Sequence, residues 1–140
     1  MTGPLVVVDT NVVVSGLLTA EPEAPTAIIL DDMLGGALRF VVSVELLAEY
    51  RSVLLRPGIR SRHGLTDGEV DELLTAVVEN AVVCEPVGSP EPSPDPGDEH
   101  VWGLLAARPG SVLVTGDRAL VENPPGWASV VTPRGFLDLV

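Results

Sequence analysis

The chain has 140 residues, with 20 acidic and eight basic side chains, for a formal net charge of −12; all eight basic residues are arginine. Such a length suits one domain spanning residues 1–140 and lets roughly two thirds of the unfolded surface be buried, so a core needs no disulfide or metal staple. The acidic balance excludes a protein that coats nucleic acid non-specifically, because affinity for the phosphate backbone comes mainly from counterions displaced by Lys and Arg. Any contact with nucleic acid has to be local.

Leu5-Val6-Val7-Val8 is an unbroken apolar run that stops at Asp9-Thr10-Asn11 and reads as a buried parallel strand. Asn11 to Leu18 is helical or loop-like, Pro22 and Pro25 punctuate, and Thr26 to Leu34 forms a helix ending at Gly35-Gly36. Arg39 to Val42 is the second strand. Ser43 caps a helix that carries Leu46, Leu47, Tyr50, Val53 and Leu54 as one apolar stripe and stops near Pro57-Gly58. Thr66 and Glu69 have capping-box spacing at the head of a further helix, whose buried face is Val70, Leu73, Leu74, Val77 and Val78.

The third strand is Ala81 to Cys84, with Cys84 expected to be a small buried hydrophobe in a reducing compartment, since a lone cysteine forms no internal disulfide. Pro86 through Pro96 reads as an extended surface loop, followed by a helix over Glu99 to Ala107. Val112-Leu113-Val114 then repeats the grammar of the first strand, ending in Thr115-Gly116-Asp117 before a short helical segment. Ser129 to Val131 and Gly135 to Leu139 complete an alternating β/α order, which implies an α/β fold with a mainly parallel sheet and helices on both faces. No apolar stretch is long enough to span a bilayer, and the first hydrophobic run breaks at Asp9, so no membrane association is expected and a cytoplasmic location follows.

Four acids stand out: Asp9, Glu49, Asp98 and Asp117. Each has a structural alternative. Asp9 and Asn11 suit a helix cap, Glu49 flanks the apolar stripe of its helix and suits a salt bridge, and Asp117 suits a turn after Gly116. Asp95-Pro96-Gly97-Asp98 fits a helix start in which Asp95 caps and Asp98 complements the dipole. As a set, however, acids at the carboxyl ends of parallel strands occupy the edge where open α/β sheets place their ligands. Two carboxylates about 4 Å apart repel by roughly 4 kcal/mol at an effective dielectric near 20, so a cluster of four must take up protons or bind a cation. Oxygen-only ligands favour Mg²⁺ or Mn²⁺ over zinc, and the chemistry such an ion supports on a phosphate is phosphodiester hydrolysis. Arg51, Arg56, Arg60 and Arg62, with His63 beside them, read either as a rim that guides phosphate or as a solvated helix end and loop.

Val6-Val7-Val8-Asp9-Thr10-Asn11 with Ser15-Gly16-Leu17-Leu18, Ser43 with Leu46-Leu47-Ala48-Glu49-Tyr50, Asp95-Pro96 with Asp98-Glu99, and Val114-Thr115-Gly116-Asp117 together resemble the PIN-domain ribonucleases, in order and over nearly the whole chain. The match is closest to the toxin components of toxin-antitoxin systems. The resemblance implies a three-layer α/β/α sandwich, dependence on Mg²⁺ or Mn²⁺, and endonucleolytic cutting of RNA. It makes Asp9, Glu49, Asp98 and Asp117 the metal-binding acids, with Asn11 and Thr115 supporting them by hydrogen bonds. An antitoxin protein partner and a homodimer are implied as well. Gly97 and Arg118 depart from the acidic residues some relatives carry there, which leaves one ion or two both admissible. Receiver domains and aspartate-nucleophile phosphatases share the strand-end acid but rely on a lysine, and this chain has none. The rival from another class is a PIN-like module that binds RNA or protein without cutting.

Overall fold

The computed structural model describes residues 3–139. Strand β1 (Val6–Val8) is followed by helices α1 (Thr10–Leu18) and α2 (Pro25–Gly35), strand β2 (Val41–Val42), and helices α3 (Val44–Leu54), α4 (Pro57–His63) and α5 (Asp67–Glu79). After β3 (Val82–Val83) come α6 (Glu99–Ala107), β4 (Val112–Val114), α7 (Arg118–Glu122), β5 (Ser129–Val131) and α8 (Pro133–Leu139). Every ladder is parallel: β1 pairs with β4, β4 with β5, and β2 with β3. A bridge between Val6 and Phe40 and a hydrogen bond from the Val6 N–H to the Arg39 carbonyl, 3.0 Å, join the two ladders side by side. The architecture is the expected α/β one with helices packed around a parallel sheet.

The central strands read as continuous apolar runs because both their faces are covered. Val6, Val7, Val8, Val41, Val42, Leu113 and Val114 have no exposed surface. Helix α3 turns Leu46, Tyr50 and Leu54 into this core, and the buried Tyr50 hydroxyl donates to the Val8 carbonyl, tying the helix to the end of β1. Trp102 on α6 is the largest buried side chain and meets Trp127 edge-on. The proline-rich segment lies along α6 as a surface strap: the Val87 N–H donates to the Gly103 carbonyl at 3.1 Å, and a Cβ at Gly103 would sit 2.6 Å from Pro86 Cβ. Only glycine permits that approach.

Three expectations are corrected. The third strand is not buried: β3 pairs only with β2, Val83 is 57% exposed and Cys84 is half-buried, because the strand stands at the sheet edge. Val78 is exposed, since Val70, Leu74 and Val77 already fill the inward face of α5 and Val78 lies a further 100° or so around the wheel. The segment after Leu54 is not a loop. Pro57 ends α3 and occupies the first turn of α4, where its missing N–H costs nothing.

The parallel register determines where the chemistry falls. Val8 pairs with Val114, so the residues that leave the two strands, Asp9 and Thr115, emerge side by side at one edge; the Asp9 N–H donates to the Val114 carbonyl at 2.9 Å.

Candidate active site

Asp9 caps α1 and is 9% exposed. Its Oδ1 accepts the Thr10 N–H at 2.8 Å, and its Oδ2 accepts the Thr115 hydroxyl at 2.8 Å and the Asn11 amide at 3.3 Å. Asn11 also spans to β4, accepting the Gly116 N–H at 2.8 Å, and Thr115 Oγ1 accepts the Asp117 N–H at 3.0 Å. Capping and site-building are therefore not competing roles for Asp9, because one oxygen serves each.

Glu49, on α3, has no arginine partner among the described residues. Its Oε2 accepts the Thr10 hydroxyl, and its Oε1 lies 3.4 Å from His100 Nε2. Neither Thr10 nor His100 stood out in the sequence: threonine beside Asp9 reads as helix-start chemistry, and His100 falls on an apolar helix with nothing to show which strand or helix it faces. His100 is 10% exposed at its side chain, and its Nδ1 is buried without a partner.

The choice at the head of α6 resolves by side-chain direction. Asp95 makes the cap, accepting the Gly97 N–H at 2.9 Å, whereas Asp98 ends the short 3₁₀ turn Pro96–Asp98 and its carboxylate makes no capping bond. Asp98 is left to face a pocket of about 700 Å³ that Asp9, Asn11 and Asp117 also line. Asp117 caps α7 through the Ala119 N–H at 2.9 Å and is exposed. Glu49 is not among the residues that line this pocket.

The arginine cluster divides. Arg51 pairs with Asp71 at 2.8 Å and Arg60 pairs with Asp67, both at the surface. Arg56 and Arg62 line the pocket with the acids. The four do not form one rim: Arg51 and Arg60 are taken up by Asp71 and Asp67 and do not line the pocket, whereas Arg56 and Arg62 do.

A family model for the PIN domain matches residues 5–119, a span that contains all four acids. The chain belongs to the PIN-domain family. No curated protein matches it. PIN domains have a nuclease-type fold, are typically metal-dependent nucleases and generally use divalent metals.

The acids of this PIN domain act on one another. The Asp9 pKa is raised by burial, against the hydrogen bonds from Thr115 and Thr10, and further by the charges of Glu49 and Asp117. Asp98 is pushed up to about 6, by burial first and then by Asp9, Asp95 and Glu49, with His100 opposing. Mutual repulsion among hard oxygen donors is the condition a divalent cation relieves, and the donor set suits Mg²⁺ or Mn²⁺. Among the described residues, no three His, Cys, Asp or Glu side chains stand together as a finished cation cage. Glu49 is held by Thr10 and His100, and Asp117 by its cap.

A pH dependence follows from Asp98. Because its folded pKa lies above the usual carboxylate value of 3.8, its contribution to stability is full below that value and is lost as pH rises through about 6. Asp9 acts in the same direction. Without divalent cation, the denaturation midpoint is expected to fall between pH 4 and 6, and Asp98→Asn is expected to flatten that fall. Equal slopes in the two proteins, read by urea titration across this range, would remove Asp98 from the repelling set.

Proposed function

We propose that this PIN domain is a metal-dependent endoribonuclease that hydrolyses RNA phosphodiester bonds. The observation that carries the reading is that Asp9 and Asp98, their pKa values raised by burial and by neighbouring acids that include Glu49 and Asp117, meet at the carboxyl edge of a parallel sheet in a pocket that Arg56 and Arg62 also line. Asp9, Glu49, Asp98 and Asp117 would hold Mg²⁺ or Mn²⁺. When bound, such an ion activates water and neutralises charge at the scissile phosphate. Asn11 and Thr115 keep the Asp9 carboxylate in one orientation, and Thr10 and His100 do the same for Glu49. Arg56 and Arg62 draw the RNA backbone toward the acids by local attraction, in a chain whose overall charge repels it.

The reading extends to the toxin of a toxin-antitoxin pair, acting in the cytoplasm as a homodimer and neutralised by an antitoxin protein. Its support is the sequence resemblance and the family. The second reading is a non-catalytic PIN-like module that binds RNA or protein, and the absence of a finished cage among the described residues favours it. Purified protein incubated with structured and unstructured RNA in Mg²⁺, Mn²⁺ or chelator separates the two. Cleavage that needs either ion supports the nuclease; cleavage that persists in chelator, or none with either ion, rejects it.

Replacing Arg56 and Arg62 together with alanine is expected to weaken RNA binding and reduce the slope of log affinity against log salt by about 1.4, the loss of two phosphate contacts to a single strand. An unchanged slope would return both residues to solvated surface.

A further inference from the structure

The acidic pocket, at about 700 Å³, is larger than a cation and a phosphate need, and acids make only part of its lining. Besides Asp9, Asp98 and Asp117, its lining includes an aliphatic group, Val14 and Leu18 of α1, Val53 of α3 and Ile59 of α4, with the hydroxyls of Ser15 and Thr19 beside it. Helix α1 begins beside Asp9, so at about 1.5 Å per residue Val14 and Leu18 lie roughly 7 and 13 Å along its axis from the acid. Leu18, Val53 and Ile59 are only half-buried. Phosphate and ribose are polar and do not account for an aliphatic slot open to water at this distance from the acids. The flat face of a nucleobase does.

The arginines agree with that shape. Arg56, at the cap of α4, and Ile59 and Arg62 within it all line the pocket, and among the described residues neither Arg56 nor Arg62 has an ion-pair partner. Guanidinium planes stack on bases as well as pairing with phosphate. A base in an A-form duplex is stacked on both faces and cannot enter such a slot, whereas an unpaired base in a loop or single strand can.

We infer that the slot is a nucleobase subsite, which takes one unpaired base flanking the scissile phosphate against Leu18 and Ile59, with Arg56 and Arg62 at its rim. The inference rests on the nuclease reading and deepens it by naming what the same pocket recognises.

The test is an abasic scan of a short single-stranded oligoribonucleotide. Binding is read by fluorescence anisotropy in Mg²⁺, in the Asp9→Asn background to suppress cleavage. One abasic position is expected to cost about tenfold in affinity, the scale of a single stacked base. Ile59→Glu is expected to cost a similar factor with the intact oligonucleotide and to abolish the abasic penalty. Ile59 is half-buried against the core, so a thermal melt of Ile59→Glu, with Ile59→Ala alongside, shows that each variant is folded before its binding is read. A flat abasic scan, an abasic penalty that survives in Ile59→Glu, or no binding at all overturns the subsite. Cleavage of RNA by the wild-type protein in Mn²⁺ is followed separately: if it persists beside a flat scan, only the subsite fails, and if it is missing, the nuclease reading fails first.

Discussion

Asp9→Asn is expected to lower RNA cleavage by about a thousandfold or more while the protein melts at or above the wild-type temperature. Asparagine is as good a helix cap as aspartate, so the bond from the Thr10 N–H survives the exchange. Its amide nitrogen can donate where the acid accepted, and Thr115 and Asn11 can rotate to meet it. What disappears is a charge that stands against those of Glu49 and Asp117 and that helps to raise the Asp98 pKa. Removing it relieves repulsion in the cation-free fold and takes away one donor for the ion. Steady-state cleavage and a thermal melt in chelator check both halves. A variant that still cuts would sink the site, and one that melts far below wild type would show that Asp9 is chiefly a structural cap.

The largest effect on stability is expected at Trp102. Its ring is 2% exposed, the biggest side chain in the core, with its centroid 6.5 Å from that of Trp127 and the planes at 89°. Trp102→Ala should cost about 3–5 kcal/mol, through lost transfer energy and the cavity left behind. Domains of this kind have only about 5–15 kcal/mol in hand, so this is a large fraction of the total. Trp102 lies on the helix that Asp98 introduces, one turn along, so repacking there should also displace that carboxylate. Trp102→Phe should recover most of the stability and the activity together. Urea denaturation followed by circular dichroism decides the matter, and a cost below about 1 kcal/mol would mean that the ring is not the keystone of α6.

How much of this was visible in the residues depends on which force wrote the signal. Val6-Val7-Val8 and Val112-Leu113-Val114 read as buried strands because a strand covered on both faces has to be apolar at every position. The capping box at Thr66 and Glu69 was equally readable, being a local exchange of hydrogen bonds, and both of its bonds are present. The exposure of β3 was not readable. An isolated Val-Val-Cys is the same in the middle of a sheet as at its edge, and only the order of strands tells which.

The same limit applies around the acids. Sequence could offer Asp95 and Asp98 as caps or ligands, yet which of them accepts the Gly97 N–H depends on the direction of a side chain. Thr10 and His100 escaped notice because their side chains meet at Glu49, and that meeting is made by packing between α1, α3 and α6. The arginines were legible as a cluster and illegible as individuals, since the ion pairs of Arg51 and Arg60 with Asp71 and Asp67 of α5 depend on how the helices pack.

One consequence of the β1 and β4 pairing reaches beyond the pocket. Asp9 and Thr115 are 106 residues apart in the chain, and their alignment is inherited from three matched pairs of aliphatic residues in the sheet interior. Side chains alternate along a strand, so sliding β4 by a single step would send Thr115 to the opposite side of the sheet and leave Asp9 without its brace. Substitutions at Val7 or Leu113, wholly enclosed in the sheet, can therefore disturb the acidic site by detuning an alignment rather than by unfolding the domain.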